Sequence, residues 1–264
     1  MRPLITLTTD FGTRDGYAAS MKGVILGIAP EAVVVDITHE IAPGDVRAGA
    51  FILMTTSRDF PPGTIHVAVV DPGVGTARKA LAVRTARSTF LGPDNGLLSW
   101  ALRAEGRYEA ESIENPRFMR PSVSATFHGR DIFAPAAAHL ALGAPFQALG
   151  PVVAPREAPW ITPTPRGEDL EGEVIHVDRF GNAVTNLALA DLLARAPLSG
   201  WSFEAGGVAL GGLVATYGAA EPGVPLVLTG SAGLIEVAVS RGSAAEILGL
   251  RPGSPVFARR AARP

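Results

Sequence analysis

The sequence predicts an α/β fold: an N-terminal α/β domain with a mainly parallel central sheet, followed by a smaller β-rich domain of barrel or sandwich type. Three observations predict it. Apolar strand-like runs alternate with segments of helical period from residue 4 to residue 142, the pattern of strand-helix-strand units. Prolines then recur at 151, 155, 159, 163 and 165, where neither a regular helix nor a central strand can continue, because proline has no N–H to donate. Beyond residue 170 the texture changes to short apolar runs at close spacing, which suits a closed or two-layered β structure. These breaks give domains at 1–155 and 168–264, with a proline-rich linker at 156–167.

In order, residues 4–8 form a short β-type run and 17–28 a helix. Residues 32–37 carry Val33, Val34 and Val35, a β-branched second strand. Residues 45–55 read as a helix because Ala48, Ala50, Phe51 and Met54 recur near helical spacing. The third strand, 64–70, ends at Asp71. Residues 81–85 and 88–91 continue the sheet, Gly92-Pro93-Asp94-Asn95-Gly96 makes a turn, and 97–104 and the alanine-rich 131–142 are helical. Strands at 173–177, 208–210, 226–228 and 234–239 build the second domain. Ligands of parallel α/β sheets sit beyond the carboxyl ends of the strands, and Asp10 and Asp71 stand there.

Composition narrows the function. A chain of 264 residues with 47% hydrophobic and 18% charged residues is an ordered globular protein with a full core. A net charge of −2 and the lack of any basic block, save a short tail at 259–263, give no reason to expect nucleic acid or membrane as partner. The absence of cysteine excludes disulfides, thiolate nucleophiles and sulfur-bound zinc. His39, His66, His139 and His176 show no metal-ligand spacing, so neither metal nor cofactor is expected. The start runs directly into a strand, and no apolar run reaches the ~20 residues of a membrane helix. A cytoplasmic protein is expected.

Three segments place ionisable residues where apolar runs break into glycine: Asp10 and Asp15 in TTDFGTRDGY, Asp71 before Pro72-Gly73-Val74-Gly75 with Arg78 beyond, and His128 in Phe127-His128-Gly129-Arg130-Asp131. Asp10 either accepts hydrogen bonds from a ribose diol or caps a turn. Arg78 can reach Asp71 only if the loop folds over, as an orienting cation for an active carboxylate or as a structural ion pair. His128 at a loop entering a helix is a candidate acid/base. In the second domain, Asp178-Arg179-Phe180-Gly181-Asn182 is a hairpin turn or a base-reading site, with Phe180 stacking and Asn182 offering a donor and an acceptor. Ser231 opens a glycine-flanked loop suited to a carboxylate.

Read together and in order, TTDFGTRDGY, VDITHEI, VVDPGVGT, GPDNGLL, TFHGRDIFAP, VDRFGN and GSAAEILGL resemble the S-adenosyl-L-methionine (SAM) hydroxide adenosyltransferases, relatives of the fluorinating and chlorinating enzymes. The resemblance spans nearly the whole chain. It implies a C-terminal β-barrel-like domain, a homotrimer with sites shared between subunits, and metal-free hydrolysis of SAM to adenosine and L-methionine. It places an Asp, Arg and His trio at Asp71, Arg78 and His128, the ribose at Asp10, adenine at Asn182, and the methionine amine and carboxylate at Asp178 and Ser231. Glu236, Ala238 and Arg241 adjoin as further substrate contacts, and Asp15 joins the substrate-binding set. Halogenating relatives leave chlorination of SAM as an alternative, and a non-catalytic adenosine-binding protein is a third. An aspartate at 71, where a halide would sit, favours hydrolysis.

Overall fold

The computed structural model describes residues 2–260. The chain divides into two compact units, Met1–Ala158 and Pro159–Pro264. The first contains β1 (Leu4–Thr9), α1 (Tyr17–Ile28), β2 (Val33–Thr38), α2 (Val46–Ser57), β3 (Ile65–Val69), β4 (Ala80–Thr85), β5 (Thr89–Pro93), α3 (Ser99–Glu105), β6 (Tyr108–Ser112) and α4 (Ala134–Ala141). The strands form one six-stranded sheet in the order β2-β1-β3-β5-β4-β6. The pairs β1-β2, β1-β3 and β3-β5 are parallel. β4 runs antiparallel to β5 and β6, since the link from Thr85 to Thr89 is too short for a crossover.

Alternation along β1 sorts its side chains to two faces. Ile5 and Leu7 join Val67 and Val69 of β3, Met21 and Ile25 of α1 and Ala136–Ala138 of α4 in one core. Ile5, Leu7, Met21 and Ile25 are fully buried, each stabilising by about 1.5–3 kcal/mol. On the other face α2 packs on β1 and β3, with α3 against α2, and Thr6 Oγ1 meets His66 Nδ1 at 2.8 Å. Asp45 precedes α2 rather than opening it, and its side chain caps the helix by accepting from the Ala48 N–H at 2.9 Å.

The helix expected from residue 131 starts earlier, as a single π-helical turn at Gly129–Phe133 that runs into α4. Pro135 supplies the reason. It cannot donate to the Asp131 carbonyl four residues back, and that carbonyl instead accepts the Arg120 N–H at 2.9 Å. The replacement bond ties the irregular segment before His128 to the helix start.

The second unit contains β7 (Thr164–Arg166), β8 (Asp169–Val177), β9 (Ala183–Ala188), α5 (Leu189–Leu193), β10 (Trp201–Ala205), β11 (Val208–Gly211), β12 (Leu213–Val214), β13 (Pro225–Thr229), β14 (Leu234–Val239), α6 (Ala244–Ile247) and β15 (Pro255–Arg260). Nine strands make a nearly closed, barrel-like sheet in the order β11-β10-β15-β8-β9-β14-β13-β12, with β7 paired to β8. Leu170, Val174, Phe203, Val227, Ile235, Val237 and Val256 fill its interior. β7 is an edge strand, which is where Pro165 can be tolerated. Arg259 and Arg260 belong to β15 and pair with Asp169 and Glu168, while the rest of the basic tail, 261–263, lies outside the described residues. Among the described residues no helix is long and apolar enough to cross a membrane.

Candidate active site

β1 and β3 are adjacent and parallel, with Thr9 opposite Val69. Asp10 and Asp71 therefore leave the same edge of the sheet, beyond its carboxyl ends. A cavity of about 540 Å³ opens there, lined by Asp10, Phe11, Tyr17, Asp71, Phe127 and His128 among others. Phe11, Tyr17 and Phe127 form an aromatic wall with ring centroids 5.0 to 5.8 Å apart. The Asp10 carboxylate is held by the Gly44 N–H at 2.8 Å.

The loop after Asp71 does fold over. The Val74 N–H donates to the Asp71 carbonyl at 3.1 Å and the Thr76 N–H to the Gly73 carbonyl at 3.2 Å, so consecutive turns return Arg78 to Asp71. Gly75 makes this possible: its φ is +76°, and a Cβ there would lie 2.3 Å from the Ala125 carbonyl oxygen. Arg78 Nε stands 3.0 Å from each Asp71 oxygen, and its Nη2 also donates to Oδ2. The same Nη2 lies 2.7 Å from His128 Nδ1. Only 9% of the Arg78 side chain and 4% of the Asp71 side chain are exposed, so water does little to screen the pair.

This geometry decides the state of the histidine. A guanidinium only donates, so Nδ1 must accept and the ring proton sits on Nε2. Burial, reinforced by the Arg78 charge, holds His128 below the ordinary imidazole value, outweighing the opposite pull of Asp71 and Asp131. His128 is thus a neutral N–H donor, and Asp71 keeps the lone pairs. Asp131, fully buried, fixes the backbone around it: it accepts the Ser124 N–H at 2.8 Å and pairs with Arg130 and Arg120. Burial alone would raise Asp131, but these partners together bring it below the usual carboxylate value. Gly129 lets the turn approach Phe11 and Met21, which a Cβ would meet at 3.1 to 3.3 Å.

In the second unit, residues 178–182 join β8 to β9 as a hairpin, and the same residues build a cavity wall. Asp178 Oδ1 accepts the Phe180 and Asn182 N–H groups, and Oδ2 accepts Asn182 Nδ2, all at 2.9 Å. Asp178, Phe180 and Asn182 line a cavity of about 610 Å³ with Tyr217, Val239 and Arg241. Phe180 is 72% exposed, a large ring left open at the rim. Arg241 is the one non-glycine residue with positive φ, +55°, among the described residues, a conformation that costs about 1 kcal/mol. The tight turn after β14, closed by the Gly242 N–H donating to the Val239 carbonyl at 3.1 Å, holds it there.

The remaining expected contacts stand elsewhere. Asp15 and Ser231 are exposed in loops outside the residues lining either cavity. Ala238 is fully buried with Leu226 and Leu228, so its methyl group is not available at a surface. Glu236 is buried too and accepts the Tyr217 hydroxyl at 2.8 Å. Tyr217 itself was not legible as a site residue: it lies in a short 3₁₀ turn, Tyr217–Ala219, and its one local signal is an aromatic side chain before Gly218. Among the described residues no group of three or more His, Cys, Asp or Glu side chains is placed to hold a metal ion.

Comparison with known proteins decides the family. The SAM hydroxide adenosyltransferase N-terminal domain matches residues 5–150, and the C-terminal domain of the same family matches 172–257. The chain belongs to the SAM hydroxide adenosyltransferase family. One similar member is an (R)-S-adenosyl-L-methionine hydrolase of Thermus thermophilus, 47% identical over 97% of this chain and 99% of the relative. A hydrolase of the same name from Salinispora arenicola is 45% identical over 95% of each chain. A fluorinase of Nocardia brasiliensis is more distant, 30% identical over 72% of this chain and 73% of its own. Among solved structures, an uncharacterised conserved protein of Thermotoga maritima superposes with a TM-score of 0.86 at 36% identity, covering 97% of this chain and all of that one.

Proposed function

We propose that this family member hydrolyses SAM to adenosine and L-methionine by in-line attack of water on the ribose 5′ carbon. The observation that carries the reading is that Asp71 and His128, each hydrogen-bonded to Arg78, line the cavity where Asp10 also stands. A sulfonium is already a good leaving group, so no acid is needed at sulfur. As the water oxygen bonds to carbon, the carbon–sulfur bond breaks and its electron pair stays on the methionine sulfur. His128, as a donor, orients the attacking oxygen. Asp71 accepts the water proton, and Arg78 holds both residues in place. Asp10 takes the ribose diol. Asn182 and Phe180 take adenine, while Asp178 and the Arg241 segment face the methionine part. Neither metal nor cofactor takes part.

The buried negative charge at Asp71 disfavours a halide in the same place. The two sets of residues lie on different units, which suits a cytoplasmic homotrimer in which one subunit's first unit works with a neighbour's second. The test is purified protein with each sulfonium epimer of SAM, because the hydrolases among its relatives are named for the (R) form. Adenosine and methionine are expected in equal amounts in the presence of chelator. A chloride-dependent chlorinated nucleoside, or binding without turnover, would overturn the reading. Activity lost in chelator and restored by a divalent ion would overturn its metal-free form.

A further inference from the structure

We propose that Glu236 is a positioning residue: its buried carboxylate fixes the Tyr217 ring in the wall of the second unit's cavity, and so governs substrate affinity without touching substrate. This deepens the proposed hydrolysis of SAM and rests on it for the identity of the ligand.

Three observations carry it. The first is placement. Glu236 lies in β14, 9% exposed, and is not among the residues lining the cavity, whereas Tyr217 is. Tyr217 sits in a three-residue 3₁₀ turn between two strands, an element too short to orient a ring by itself. The hydroxyl bond to Glu236, 2.8 Å, anchors that turn to a strand whose register with β9 and β13 is set by the sheet.

The second is room. A Cβ at Gly230 would lie 1.8 Å from Glu236 Oε1. Gly230 is not among the glycines with positive φ, so backbone conformation does not demand glycine there. Space for the carboxylate does.

The third is cost. Burial raises Glu236 above the ordinary carboxylate value; the Tyr217 hydrogen bond pulls the other way, but the charge of Asp178 adds to the rise. A raised acid binds its proton more tightly in the folded chain, so its ionised form weakens the fold above that range. An apolar side chain of similar size would relieve this. Tyr217 is pushed up to about 12 by burial and by Glu236 and Asp178, so it remains a donor throughout the working range. A carboxylate that costs stability, next to a ligand cavity and engaged by one of its wall residues, is a mark of function.

The experiment compares Glu236→Leu, Glu236→Gln, Gly230→Ala and Tyr217→Phe in SAM turnover and in calorimetric titration with adenosine. Glu236→Leu is expected to melt no lower than the parent at pH 7.5, to raise KM roughly tenfold, the scale of a hydrogen bond to a charged group, and to leave kcat within about twofold. Glu236→Gln, whose carboxamide oxygen still accepts from the tyrosine, restores most of the affinity. Gly230→Ala keeps the carboxylate but displaces it, and raises KM as Glu236→Leu does. Should Glu236→Leu fail to fold, Gly230→Ala and Tyr217→Phe read the same effect. A folded Glu236→Leu and Gly230→Ala with unchanged KM would overturn the inference. So would a Glu236→Gln as damaged as Glu236→Leu, which would mean that the charge acts directly on the ligand. If the parent protein does not turn over SAM, the proposed function fails instead, and adenosine affinity across the same variants still decides the role of Glu236.

Discussion

The cavities of the two units are similar in size and opposite in construction. In the first, a carboxylate, a guanidinium and an imidazole are hydrogen-bonded to one another on loops that leave a parallel sheet. In the second, the carboxylate of Asp178 is oriented by its own hairpin, and exposed aromatic rings and an arginine complete the walls. The first arrangement fixes proton positions and charge. The second fixes shape and donor pattern. The difference teaches where to look for rate and where to look for affinity.

The sharpest way to break that division is to remove the proton acceptor or the donor of the first cavity. Asp71→Asn and His128→Ala are each expected to lower turnover by ~10²-fold or more, the usual scale of acid/base assistance, while calorimetric affinity for SAM changes only a few-fold. Lost affinity with normal turnover per bound substrate would reverse the roles of the two cavities.

Acid should strike the first unit through its core. Burial, aided by Arg87, depresses His66 from 6.5 to about 4, so the unfolded chain binds the proton more readily than the folded one between those values. Stability is therefore full above pH 6.5 and falls as pH drops toward 4. The loss comes to about 3 kcal/mol, since each tenfold difference in proton affinity between the two states is worth ~1.4 kcal/mol. Denaturant midpoints at several pH values measure this slope, which His66→Gln should flatten. An unchanged slope in that variant would place the acid-sensitive group elsewhere.

A smaller effect tests the second cavity. Asp178→Ala removes the acceptor of two backbone N–H groups and of the Asn182 amide, and is expected to raise KM roughly tenfold with kcat nearly unchanged. A turnover loss exceeding the KM change would mean that this hairpin takes part in the chemical step. The smallest effect concerns Arg241. Glycine there should relieve backbone strain and stabilise the fold by about 1 kcal/mol, measurable as a higher melting temperature, and at the same time weaken SAM binding. A stabilised variant with unaltered binding would remove Arg241 from the site.

Much of the fold was legible because the first unit follows local rules. Helix α1 spans Tyr17–Ile28, as its pattern predicts, and the strand ends that deliver Asp10 and Asp71 follow from apolar runs interrupted by aspartate. What was not legible depended on distant partners. β6 carries Tyr108, Glu109 and Glu111 and lacks an apolar run; it is a strand because β4 offers it an edge. The π-helical turn at His128 reflects Pro135, whose missing donor is compensated by Arg120, far back in the chain. In the second unit, β9, β10, β12 and β15 were not legible because short strands there are defined by their neighbours. Tyr217 and Glu236 stayed hidden as a pair because they lie 19 residues apart and meet only through the sheet.

The adjacency of β1 and β3 has a metric consequence. Neighbouring strands keep a separation of about 4.8 Å, set by their hydrogen bonds, so the span between Thr9 and Val69, the paired strand ends from which Asp10 and Asp71 follow, is a lattice spacing of the sheet rather than a property of any loop. Chain added in the connection at 58–64 would leave that span intact. A slip of β3 by one position against β1 would instead turn Asp71 to the opposite side of the sheet, and no movement of the loop at 72–78 could bring it back.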